Sequence, residues 1–175
     1  MSMLDTILNA GGGQGRSQLA KQFGLDENQI TAALGQLVPA LGSGVKRNTT
    51  QPGGVESLLG ALTKGNHQQY LDNPAALAGD STKAEGNAIL GHLLGSKDES
   101  RRVAAAASQK TGLDQGLLEQ LLPVAASMVM GSLSKNQSQL APGGKPSAAG
   151  LAGLLDADGD GSVADDIMGF AKKLF

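Results

Sequence analysis

The sharpest chemical spacing in this chain lies near its C-terminus, where Asp156, Asp158 and Asp160 alternate and are followed by Gly161, Ser162, Asp165 and Asp166. Oxygen donors at alternate positions suit Ca²⁺, a hard cation that takes six to eight oxygen ligands. Asp156, Asp158 and Asp160 fall at loop positions 1, 3 and 5 of an EF-hand, Gly161 at the sharp-turn position 6, and the Ser162 carbonyl at position 7. The pattern departs at position 12, where Ile167 replaces the bidentate Glu, and at position 9, where Ala164 leaves the place to water. Asp165 or Asp166 can close the site one residue early. The expected metal set is therefore Asp156, Asp158, Asp160, Ser162, Asp165 and Asp166, holding a structural Ca²⁺ that fastens the last helix. The competing reading is an Asx-rich turn that caps this helix without metal.

Other chemistry is sparse. The only two histidines, His67 and His92, have no nucleophile or carboxylate at helical spacing, so no catalytic role is assigned to them. The glycine-rich stretch 11–15 lacks the Lys-Ser/Thr ending of a phosphate loop and reads as a hinge. Residues 18–34 carry helix-turn-helix spacing in Ala20, Gly24 and Ile30. A DNA reader needs cations on its second helix, yet this one opens with Asp26 and Glu27 and has no Lys or Arg before Lys46.

Composition narrows the classes further. The chain has 175 residues, a net charge of −2, no Trp, one Tyr and three Phe, so base stacking and electrostatic attraction to nucleic acid have little to work with. No cysteine is present, which excludes thiol catalysis and thiolate zinc sites. With no signal-peptide pattern at the N-terminus, the expectation is a cytoplasmic protein. The most apolar stretch, 117–133, contains Glu119, Gln120 and Pro123 and falls short of the roughly 20 residues that span a bilayer, so it is expected to be a core helix.

The elements that must position these residues are all helical by periodicity. Helices are expected over residues 3–10, 16–23, from Asp26 through 45, and over 55–62, 67–71, 85–94, 99–111 and 117–133, with 73–82 irregular. The long third helix carries Ile30, Ala33, Leu34, Leu37, Val38, Leu41 and Val45 on one face. At an offset of 88 residues its features return: Gly24, Leu25 and Asp26 become Gly112, Leu113 and Asp114, and the face becomes Leu118, Leu121, Leu122, Ala125, Ala126, Val129 and Leu133. A basic residue and an asparagine follow each time (Arg47 and Asn48, Lys135 and Asn136), then a Gly-Gly loop. Only five of the 25 residues 24–48 are identical between the copies, so two amphipathic helices sharing one capping rule is the alternative to a true repeat. The expected architecture is a single all-α domain, residues 1–175. Within it stand two pseudo-repeated units at about 3–65 and 88–155 (most closely 16–62 and 104–155), an EF-hand-like loop at 156–167 and a C-terminal helix at 164–174.

Segments 18–25 (QLAKQFGL), 37–41 (LVPAL), 87–95 (NAILGHLLG) and 155–162 (LDADGDGS), taken in order, resemble a bacterial family designated domain of unknown function 937, related to the YidB-like helical proteins. The resemblance spans nearly the whole chain. It implies a helical bacterial protein and brings no activity, substrate or catalytic residue. The functional expectation is an interaction or scaffold module, binding another protein or itself, with a structural calcium loop. The alternatives are a metal-assisted enzyme using the same acidic loop and, with the least support, a helix-turn-helix nucleic-acid binder. No nucleic-acid or membrane partner is expected.

Overall fold

The computed structural model describes residues 3–140, and within them every regular element is helical. The expected calcium-type loop, its ligands and the C-terminal helix lie outside the described residues, as does the end of the second expected repeat.

Eight α-helices follow in order: α1 (Met3–Leu8), α2 (Gln14–Phe23), α3 (Glu27–Thr49), α4 (Gly54–Lys64), α5 (Gln69–Asp72), α6 (Asp80–Leu94), α7 (Lys97–Thr111) and α8 (Gln115–Leu140). Two 3-10 turns intervene, Ala10–Gly13 before α2 and Pro74–Ala78 before α6.

Local chemistry sets the boundaries. Asp26 begins α3 through a capping box: its side chain accepts the Gln29 N–H at 2.8 Å while the Gln29 side chain accepts the Asp26 N–H at 3.0 Å. Glu27 in the first turn and Lys46 and Arg47 in the last complement the helix dipole. At α7, Ser96 accepts the Glu99 N–H at 3.2 Å, so this helix starts two residues earlier than the apolar pattern alone suggests. The region 73–82 is a correction to the sequence expectation. Asn73 caps a 3-10 turn by accepting the Ala75 N–H, Pro74 sits at its first turn, and α6 already begins at Asp80.

The seven apolar residues expected on the α3 face are all buried, and so are the seven expected on α8. Beyond its expected face, α8 buries Val124, Ser127, Met128, Met130, Gly131 and Ser132, so it is enclosed on all sides from residue 121 to 133. It is the central strut, touched by α1, α3, α4, α5, α6 and α7. The helix also outruns the apolar stretch of the sequence. Its Gln115–Asn136 portion is long and apolar enough to cross a membrane, yet 78% of its most apolar window is buried by neighbouring helices, the environment of a core helix.

Close backbone approach makes this enclosure possible. A Cβ at Gly86 of α6 would collide with the Pro123 carbonyl of α8, and one at Gly44 of α3 would lie 2.7 Å from the Leu93 carbonyl of α6. Pro123 does not end α8. The Ser127 hydroxyl donates to the Pro123 carbonyl at 3.1 Å, and the Thr82 carbonyl of α6 lies 3.3 Å from the same hydroxyl. In α3, Ser43 donates to the Pro39 carbonyl at 3.0 Å in the same way.

Candidate functional site

Among the described residues no three His, Asp or Glu side chains gather as metal ligands. The expected set Asp156, Asp158, Asp160, Ser162, Asp165 and Asp166 lies beyond them. The polar cluster that the fold does assemble is one the sequence did not announce: His67, Tyr70 and Glu85.

His67 leaves the turn after α4, Tyr70 stands on α5 and Glu85 on α6. His67 and Tyr70 are 3% and 2% exposed, which forces their polar atoms to find partners inside the protein. The His67 Nε2 lies 2.9 Å from the Ala61 carbonyl of α4. A carbonyl only accepts, so Nε2 carries the hydrogen and donates it. His67 Nδ1 lies 2.9 Å from Glu85 Oε1, an ion-pair distance at which no well-directed hydrogen bond forms. Tyr70 donates its hydroxyl to Glu85 Oε2. Burial, the bond to Glu85 and the charge of that carboxylate hold the Tyr70 phenol above its ordinary pKa. The imidazole lies against Gly65, where any side chain would meet the ring, and the His67 carbonyl lies over Gly131 of α8. Every reactive atom of the cluster thus faces another part of the protein, and Glu85 alone reaches solvent, with its side chain 33% exposed. The chemistry available is cross-bracing of α4, α5 and α6. Glu85 stands 18 residues from His67 on another helix, which is why helical spacing could not pair them. The separation of His67 and Tyr70 by three residues was the one local signal.

The remaining sequence candidates fall as follows. His92 is exposed on α6, and its carbonyl accepts the Asn48 side-chain N–H at 2.6 Å. The α2–α3 turn has helix-turn-helix form: Gly24 adopts a left-handed φ of 66°, Ala20 and Ile30 are buried, and Leu25 N–H closes onto the Ala20 carbonyl at 3.0 Å. Gln29, one of two amides that could face bases, is occupied by the capping box. The glycine stretch 11–15, expected as a hinge, divides between the 3-10 turn Ala10–Gly13, in which Gly11 abuts Pro74 and Gly12 is exposed, and the first turn of α2. Arg101 and Arg102 pair with Asp98 and Glu99 at 3.5 and 3.4 Å on the exposed start of α7, while Ala104 and Ala107 turn into the core.

An open groove of about 550 Å³ lies between α6, the α6–α7 turn and α8. Leu90 and Leu122 form its floor, and Lys97, Arg101 and Glu119 stand on its rim. The groove thus has an apolar centre inside a polar and charged margin.

A family model described as bacterial protein of unknown function (DUF937) matches residues 5–136. No curated protein and no solved structure matches the chain. The acidic run 156–166 lies outside the matched span.

Proposed function

This chain belongs to the DUF937 family of bacterial proteins, and from that premise we propose that it is an interaction or scaffold module whose contact surface is the groove between α6, α7 and α8. The groove carries the reading. Its apolar floor and mixed-charge rim suit an amphipathic segment of another protein or of a second copy of this chain. The His67–Tyr70–Glu85 cluster fits the same reading, because its groups are spent on bracing helices. In this proposal the protein acts in the cytoplasm, and residues 156–167 hold a structural Ca²⁺.

The module is also proposed to be an internal repeat. Three local features support this at the offset of 88 residues. Gly24 and Gly112 both take left-handed φ, 66° and 72°. Asp26 and Asp114 both accept the N–H three residues on, at 2.8 and 3.0 Å. The long helix after each is buried along corresponding faces.

Sedimentation analysis tests the self-association arm. At tens of micromolar the wild type should sediment as a reversible dimer or larger, and Lys97→Glu with Arg101→Glu should shift it toward monomer. A strict monomer at that concentration removes self-association and leaves only a heterologous partner.

A further inference from the structure

α4 is the most lightly held of the longer helices. Its main packing partners among the described elements are α3 and, more thinly, α8. Only Leu58 and Leu62 among its side chains are buried, at 5% and 4% exposure, whereas α3 and α8 bury long runs at 0%. Gly53 precedes it with a left-handed φ of 75° and Gly65 follows it, while Gly54, its first residue, is buried against the Asn48 backbone of α3. Beneath it lies a cavity of about 20 Å³, lined from α4 by Ser57, Leu58 and Ala61 and from the body by Ile89, Leu93 and Met130. That space is about one water molecule in size, so the underside of α4 forgoes some of the dispersion contact that a filled interface would provide.

One directed polar bond ties the C-terminal half of α4 to the buried cluster. It runs from His67 Nε2 to the Ala61 carbonyl, which also accepts the Gly65 N–H at 3.2 Å. The other ring nitrogen lies 2.9 Å from Glu85 of α6, itself held by Tyr70, and the His67 carbonyl packs over Gly131 of α8.

We propose that α4 is a hinged cover that opens from the body as a unit, and that the His67 imidazole is the latch holding its C-terminal half shut. Opening swings residues 54–64 about their flanking glycines and uncovers an apolar floor of Ile89, Leu93 and Met130. It leaves α3, α6 and α8 in place, because their mutual contacts, such as Gly86 on Pro123, do not involve α4. Local opening of this kind draws on the least buried units of a fold. The device is separate from the groove between α6, α7 and α8.

Amide hydrogen exchange on the full chain, with and without low denaturant, tests the latch. Amides of α4 should exchange more than tenfold faster than those of residues 121–133, with a weaker denaturant dependence that marks sub-global opening. His67→Ala removes the latch. Gly65→Ala removes it independently, because a Cβ there collides with the imidazole while the backbone conformation of residue 65 (φ −95°) accepts alanine. Each variant should speed exchange in α4 by a further tenfold or more relative to α8. Equal protection and equal denaturant slopes in α4 and α8 of the wild type would overturn the cover. If the Gly65→Ala change accelerates every helix alike, the imidazole is no latch. Should His67→Ala fail to fold, the wild type and the Gly65 variant still decide.

Discussion

At the scale of single residues, Tyr70 makes the cluster measurable, since it is the chain's only tyrosine and no tryptophan obscures it. Its phenol is held above the ordinary value of about 10, first by burial and then by Glu85. A folded-state value raised above the unfolded one means that the folded protein keeps this proton more tightly. The stability linked to it is therefore complete below about pH 10 and is lost as pH rises through the raised folded value. Tyr70→Phe should flatten the alkaline fall of the melting temperature, and tyrosinate absorbance in the wild type should rise later than in the denatured chain. An alkaline limb identical in both proteins would assign that limb to other groups. The aspartates of the C-terminal run make a second prediction. A loop that binds Ca²⁺ only when folded gains about 2.7 kcal/mol at 100 times the dissociation constant. Millimolar Ca²⁺ should raise the melting temperature over chelator, and Asp156→Ala with Asp160→Ala should abolish the rise. An unchanged wild-type melt leaves the capping turn as the role of this loop. This run stands out in the sequence because its carboxylates alternate along the chain, and it lies outside the described residues. The cluster of His67 and Glu85 does not stand out in this way, because the fold brings a turn and a distant helix together.

At the scale of elements, α6 and α8 depend on the absence of a side chain at Gly86. Gly86→Ala places a methyl against the Pro123 backbone, which has no rotamer with which to yield, and should cost about 1–3 kcal/mol or more by overpacking. Gly91, in the same helix but exposed with no atom within 4 Å of its virtual Cβ, supplies the contrast. There alanine should stabilise by roughly 0.5–1 kcal/mol, since it lowers the backbone entropy lost on folding. Chemical denaturation of the two variants checks the pair, and a loss at both positions would mean that α6 tolerates no change for reasons other than contact with α8. The faces of α3 and α8 were legible because every third or fourth residue is apolar. The full enclosure of α8 was not, because Ser127 and Ser132 break the apolar pattern on its other sides. Ser127 is accommodated there by carbonyls at Pro123 and Thr82 that only the folded helix pair supplies. The 3-10 turn at Pro74–Ala78 escaped notice for a similar reason, since a five-residue element is too short for periodicity to register.

At the scale of the whole molecule, the all-helical class followed from periodicity and from the recurring Gly-Leu-Asp caps at 24–26 and 112–114. The arrangement around one axis did not, since nothing in the residues of α8 says which six helices will surround it. That arrangement also has a temporal side. The helix that shields the apolar faces of α1, α3, α4, α5, α6 and α7 occupies residues 115–140 and is the last described helix to be synthesised. Chains grow at about 5–20 residues per second, so several seconds separate the emergence of α1 from that of α8. Throughout that interval α3, which touches α1, α2, α4, α6 and α7, is the partner the earlier helices share. Enclosure of the core around α8 therefore waits until residues 115–140 have been made, while α3 already offers the earlier helices a face to pack on.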